Sequence, residues 1–292
     1  MAEEISKKKR VKKKSQMGDI WKRLKRNKLA MIGMIVVALI VVAAIFAGQL
    51  APYDPAAQDI SNKLSMPSGE HLMGTDNYGR DILSRIIYGA RISLLVAVMA
   101  VIMGLILGAI IGSVAGFYGG VADSVIMRIV DILQGIPGFL LAVCVSAALG
   151  TGMFNTALAI AITSIPGSAR LVRAQALSNR GLEYVEAAKL SGCSDLRIMF
   201  RHMFPNMLSP IIVDSTMKIG MCILMISSLS FIGLGVQPPT PEWGSMLSTG
   251  REYIRDFWPM TVFPGLAIMI TLFAFNLFGD GLRDALDPRL KR

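Results

Sequence analysis

Cysteine, histidine and charged residues are all scarce in this 292-residue chain, and each scarcity closes off a class of chemistry. Cys144, Cys193 and Cys222 show no Cys-x-x-Cys or other ligand spacing, which favours structural thiols over metal or redox sites. His71 and His202 are the only histidines, and the spans counted below put them on opposite sides of a membrane, unable to share a metal. The chain lacks a His/Glu metal motif, a nucleophile elbow and a clustered carboxylate pair, so neither catalytic nor metal-ligating residues are expected. It also lacks any Gly-x-x-x-x-Gly-Lys-Ser/Thr phosphate loop and should not hydrolyse ATP. The stretch from Gly74 to Asp81 is no substitute, since it misses the Gly-Lys-Ser/Thr ending and a preceding strand.

Apolar sequence is what the chain has in abundance. With 53% apolar and 17% charged residues it reads as a polytopic membrane protein. A span needs about 20 mostly apolar residues. Six segments qualify: 29–50, 92–117, 122–149, 153–172, 207–235 and 258–278. The expected fold is therefore all-α with six transmembrane helices. The first run is long for a signal-peptide core, and Gly48-Gln49-Leu50-Ala51 offers no clear cleavage signature, so it reads as a retained anchor. The organisation expected is a basic tail 1–28, the anchor 29–50, a loop 51–91 holding an amphipathic helix over 82–93, a core 92–282, and a tail 283–292.

Residues 1–28 carry twelve Lys or Arg against Glu3, Glu4 and Asp19, which accounts for most of the net charge of +10. A basic tract can serve as a nuclear address or a nucleic-acid arm. Directly before a membrane span it holds the N-terminus in the cytoplasm, with attraction to membrane lipid headgroups added, and no nucleic-acid partner is expected. Six spans then place 174–206 and the C-terminal Arg283, Arg289, Lys291 and Arg292 inside, and 51–91 and 236–257 outside. The localisation expected is the cell membrane, with both termini cytoplasmic. Trp243, after the Pro238-Pro239-Thr240-Pro241 run, reads as an interfacial anchor.

Gly104, Gly108, Gly112 and Gly116 recur every four residues and form one ridge of a helix, suited to close packing on another span of this chain. Gly119-Gly120 makes a tight inside turn, and Gly279 marks a break before a short polar stop. Two spans hold a Pro-Gly step, Pro137-Gly138 and Pro166-Gly167, and both should be kinked or broken. Paired interrupted spans point towards a translocation path, and packing kinks are the alternative. Charges in spans need partners. Asp214 and Lys218, four apart, and Arg128 and Asp131, three apart, are read as intrahelical ion pairs or as substrate or gate residues.

The polar island 174–206 between two apolar segments carries the most information. Glu183, Glu186, Ala187 and Ala188 favour helix, Gly192 breaks it, and His202, Pro205 and Asn206 end the segment. That pattern resembles the EAA loop of ABC-importer permeases, a cytoplasmic helix that fits a cleft on an ATP-hydrolysing partner.

The resemblance extends over roughly residues 52–290. Gly74-Thr75-Asp76, Gly79-Arg80-Asp81-Ile82-Leu83-Ser84-Arg85, Tyr88-Gly89-Ala90-Arg91, Ala169-Arg170-Leu171-Val172-Arg173, Leu229-Ser230-Phe231-Ile232-Gly233-Leu234-Gly235 and Pro238-Pro239-Thr240-Pro241-x-Trp243-Gly244 all take part. The chain is similar to the second, C-type permease of the dipeptide, oligopeptide and nickel branch of ABC importers. Two positions depart from that pattern: Ile226 stands where the family usually has an acidic residue, and Ile165 where it tends to have an aromatic.

The resemblance implies a type I ABC-importer permease fold with an EAA coupling helix. It implies a homologous partner permease, two ATP-binding cassette subunits that use ATP and Mg, and an extracytoplasmic binding protein that delivers substrate. No cofactor is expected on this chain itself. Glu183, Glu186, Ala187, Ala188, Gly192, His202, Pro205 and Asn206 would couple to the ATPases. Pro137, Gly138, Pro166, Gly167, Asp214 and Lys218 are candidates for the pathway and its hinges. Peptides are the expected cargo, with nickel chelates or other small solutes open. An ion-gradient-driven transporter is the rival of another class, weakened by six spans without a visible internal repeat.

Overall fold

The computed structural model describes residues 16–286, so the Lys7–Lys14 tract and the last six residues, including Arg289, Lys291 and Arg292, lie outside the described part. Regular structure in the described residues is helical apart from one isolated bridge between Thr75 and Asp81, and turns and loops fill 63–81 and 232–242. Its α-helices are α1 (Gln16–Arg26), α2 (Lys28–Ile45), α3 (Ala47–Leu50), α4 (Ile82–Tyr118), α5 (Gly120–Gln134), α6 (Gly138–Leu149) and α7 (Met153–Arg180). They continue with α8 (Glu183–Leu190), α9 (Asp195–Arg197), α10 (Phe204–Phe231), α11 (Trp243–Gly250) and α12 (Pro259–Leu286), a π-helical stretch over Ile198–Met203 leading into α10.

Four helical stretches are long and apolar enough to cross a membrane: α2, α4, 195–231 and α12. The bent pair α5–α6 makes a fifth if it is one span. The expected 122–149 span is thus two helices at 85°, because Pro137 has no amide hydrogen to continue the ladder and follows Gly135. Pro166 acts differently. It sits inside a continuous α7 of 28 residues, so the two Pro-Gly steps are not equivalent breaks.

Three further boundaries differ from expectation. The helix over 82–93 and the span 92–117 are one 37-residue helix, N-capped by Asp81, whose carboxylate accepts from the Ser84 amide at 2.7 Å. α7 runs on to Arg180, which shortens the loop expected over 174–206. α12 continues through Gly279 and Gly281 to Leu286 without a break; a Cβ at Gly279 would meet Met217 Cγ at 2.5 Å, so this glycine serves close packing of α12 on α10.

The centre of the fold is the seam between α4 and α7. Gly104, Gly108, Gly112 and Gly116 press against Ser164, Ser168, Ala169, Val172 and Ala176, and a Cβ at Gly108 or Gly116 would stand 2.5 and 2.6 Å from the nearest side chain. The ridge therefore packs within this chain. Gly33 of α2 brings a second backbone seam onto α12, 2.8 Å from the Phe278 amide for an added Cβ. In lipid, where apolar burial drives little helix association, such approach supplies the dispersion contacts that hold helices together. α1 leaves the membrane-crossing set: Leu24 is buried with Ala30 and Ala285, while Lys22, Lys25 and Arg26 are exposed.

A polar cap closes the opposite end of the fold, at the start of α4. Arg80 and Arg85 converge on Asp76, at 2.7 and 3.5 Å, and Arg85 also donates to the Pro55 carbonyl at 3.0 Å. Trp243 is 2% exposed, not an interfacial anchor; its Nε1 donates to the Ile86 carbonyl at 3.0 Å and its ring lies over Gly89. Glu242 is fully buried and caps α11, accepting from the Gly244 and Ser245 amides at 2.9 and 2.8 Å and from the Ser93 hydroxyl at 3.2 Å.

Burial pushes the Glu242 carboxyl above its ordinary range, and its hydrogen bonds only partly oppose this. The folded chain then holds a proton there that the unfolded chain releases above roughly pH 4.3. Stability should fall as pH rises from that value through the folded pKa, and level off beyond it. Glu242→Gln should remove this slope, whereas Glu242→Ala, which leaves buried donors unpaired, should cost about 1–3 kcal/mol. Thermal unfolding in detergent between about pH 4 and 8 reads both; an equal slope in wild type and Glu242→Gln would exclude Glu242 as its source.

Candidate functional site

Two surfaces bring the expected site residues together. The first is the Gly116 end of the α4–α7 seam, where α8 packs. α8 rests there on Val185 and Ala188, both buried, against Phe117, Ala176, Ile198, Met199 and Met203. Tyr184 donates from its hydroxyl to Asn179 Oδ1 at 2.8 Å, and the Lys189 ammonium lies over the Phe117 ring, 5.4 Å from its centroid. This buried edge fastens α8 to both central helices.

The other edge of α8 faces outward. Glu183, Glu186 and Ala187 are exposed, and Leu190 is 90% exposed at its tip. Gly192, with φ of +73°, turns the chain just beyond, a conformation costly for any residue with a Cβ. α8 stops at Leu190 and helix resumes at Asp195, on either side of the break expected at Gly192. Ala188 points into the fold rather than outward. His202, Pro205 and Asn206 sit at the π-to-α junction, where Asn206 Nδ2 donates to the His202 carbonyl at 2.8 Å; they shape the return of the chain rather than join the outward face of α8.

The second surface lies between α6, α7 and α10. Pro137, Gly138, Pro166, Gly167 and Lys218 all line one cleft of about 420 Å³ with Gln134, Thr163 and Ser164. A neighbouring cleft of about 630 Å³ holds Asp214 with Gln175, Asn206, Ser209 and Arg283. Asp214 and Lys218 form the expected ion pair at 2.7 Å and stand at the junction of the two clefts. The Lys218 ammonium also donates to Ser168 Oγ at 2.7 Å, a partner that no spacing in the sequence singled out.

Arg128 and Asp131 do not pair. Asp131 instead meets Arg170 of α7 at 2.5 Å, and Asp123 meets Arg173, so α5 is tied to α7 by two cross-helix ion pairs. The three-residue spacing on α5 was outcompeted by two arginines at the same spacing on a facing helix. Among the described residues no group of three or more His, Cys, Asp or Glu could hold a metal ion.

Comparison with known proteins identifies this architecture. Residues 104–292 match the family of binding-protein-dependent transport system inner membrane components, and residues 15–67 match the N-terminal TM domain of oligopeptide transport permease C. The di/tripeptide transport system permease protein DppC of Pseudomonas aeruginosa strain UCBPP-PA14 is 46% identical over 283 residues, 95% of this chain and 93% of that protein. The glutathione transport system permease protein GsiD of Escherichia coli O157:H7 is 48% identical over 274 residues, 94% of this chain and 90% of that protein. In fold, the chain is similar to an inward-facing MetNI methionine ABC transporter structure, with a TM-score of 0.56 at 16% identity over 70% of this chain and 98% of that one. The chain belongs to the binding-protein-dependent transport system inner membrane component family, as a multi-pass membrane permease subunit of an ABC importer and not an enzyme.

Proposed function

We propose that the chain forms half of the translocation pathway for short peptides, paired with a homologous permease, driven by two ATP-hydrolysing subunits from inside and supplied by an extracytoplasmic binding protein. The observation that carries this reading is the pairing of an outward-facing α8 at one end of the α4–α7 seam with a proline- and lysine-lined cleft part-way along it. Force applied at α8 is passed to Phe117 and Ala176, and from there along two helices too tightly packed to slide independently. The relatives named for di/tripeptide and glutathione transport favour peptide cargo over nickel.

The topology that fits is six spans, with α7 and the bent α5–α6 pair counted among them and both termini inside. α7 is long enough at 28 residues, and its polarity suits a helix that lines a path and is covered by others. The exposed apolar side chains Val121, Val125, Ile129 and Ile132 of α5 suit contact with lipid or the second permease. Glu183, Glu186, Ala187 and Gly192 would serve docking of the ATPases, and Pro137, Gly138, Pro166 and Gly167 would shape the path. ATP and Mg are used by the partner subunits.

ATP-driven uptake of radiolabelled alanyl-alanine by the five-component assembly in proteoliposomes tests the proposal. Uptake should require ATP, the binding protein and this chain together. Accumulation driven by an ion gradient without ATP would replace the importer reading; uptake of a nickel chelate but no dipeptide would replace the cargo.

A further inference from the structure

Lys218 and Asp214 stand where a bare charge is hardest to keep. Lys218 is at the midpoint of α10, about 20 Å from either end at 1.5 Å per residue. Pro166 and Gly167 stand at the midpoint of α7, opposite it. Ionisable groups at that depth are expensive and face a cavity or a partner. Here both conditions hold, because the side chains are paired and yet remain about one-quarter and one-third exposed, each to a different cleft.

The surroundings of the ammonium keep it reachable. Asp214 and Ser168 take two of its three donor positions, each at 2.7 Å, and the third is left for a ligand. Gly167 adjoins it, where an added Cβ would touch the Lys218 Nζ at 3.9 Å, and the absence of that Cβ leaves the ammonium bordering the cleft it lines with Pro137, Gly138 and Thr163. Ser168 is 2% exposed and anchors the ammonium from the α7 side. The result is a fixed cation and a fixed anion side by side at the junction of two clefts, a pattern complementary to a molecule carrying both a carboxylate and an ammonium group.

We propose that the Asp214–Lys218 pair is a recognition step for the free termini of a short peptide: the α-carboxylate is received by the Lys218 ammonium and the α-ammonium by Asp214. This rests on the peptide reading above and assigns it a site. Ligand ion pairs exchange for the resting internal pair, so neither charge is ever left alone in the low-dielectric interior and the step is shallow enough to release its cargo. Side chains of the peptide are not read by these contacts, which suits a path that carries varied sequences.

The test is binding of alanyl-alanine and of alanyl-alanine amide to the assembled permease–ATPase complex in nanodiscs, without binding protein or nucleotide, by calorimetry. A charge-assisted hydrogen bond contributes about 1.5–3 kcal/mol, so Lys218→Met should weaken alanyl-alanine binding by about tenfold or more. It should leave amide binding unchanged, and wild type should bind the amide about as weakly as Lys218→Met binds the free peptide. Lys218→Met with Asp214→Asn leaves no unpaired buried charge and guards against misassembly; it should show the same loss of carboxylate discrimination. Equal losses for both ligands, retained discrimination in the double variant, or no binding to the wild-type complex at up to about 10 mM would each overturn the assignment. Dipeptide uptake by the wild-type assembly stands or falls separately, so failure of this site is distinguishable from failure of the peptide reading.

Discussion

Gly112→Leu should leave no folded chain to purify. A Cβ at that position would overlap the Ala169 carbonyl oxygen and stand 2.9 Å from the Arg173 amide. Both are backbone atoms of α7, so no rotamer change relieves the clash. The helices must separate, and the seam they share runs from Gly104 to Gly116 on one side and from Ser164 to Ala176 on the other. Overpacking a well-filled core costs about 1–3 kcal/mol when side chains can yield; here the loss should be larger, since every contact along the seam is stretched at once. Gly112→Ala places only the clashing methyl and should be the milder variant, with Gly116→Ala, which meets Ala176 Cβ at 2.6 Å, milder again. Monodisperse yield by fluorescence-detected size exclusion, followed by thermal midpoints, ranks the three. Wild-type yield from Gly112→Leu would mean that α4 and α7 do not approach as described.

Much of this seam was legible beforehand, because four glycines at a strict spacing of four have few uses other than close approach. The Asp214–Lys218 pair was equally legible, since its partners lie one turn apart on one helix. Contacts across helices were not. The spacing of Arg128 and Asp131 is as suitable as that of Asp214 and Lys218, yet Asp131 pairs with Arg170 because α5 packs alongside α7. Ser168 was missed for the same reason: a serine carries no sign in sequence that a lysine fifty residues away will meet it. Trp243 was read as an interfacial anchor in the loop 236–257, and Glu242 beside it drew no reading, whereas the cap over α4 buries both. A helix end was misjudged where glycine served packing rather than termination, as at Gly279.

The outward edge of α8 carries the other large effect. If α8 docks on the ATPases as proposed, Glu186→Arg reverses a charge on the exposed face while leaving Val185 and Ala188 seated in the fold. Binding-protein-stimulated ATP hydrolysis and peptide uptake should then fall by about tenfold or more, the scale of one lost charge-assisted contact. Leu190→Glu should act similarly, since its side chain touches almost nothing within this chain. Gly192→Pro acts by another route. Proline fixes φ near −65° where the chain needs +73°, so the turn after α8 cannot form and the helix is presented at the wrong angle. Co-purification of the partner subunits separates the two: the surface variants should retain a folded chain and lose coupling, whereas Gly192→Pro should weaken both. Unchanged hydrolysis and uptake in Glu186→Arg and Leu190→Glu would remove α8 from the coupling path. The ion-gradient transporter would then be the mechanism to test.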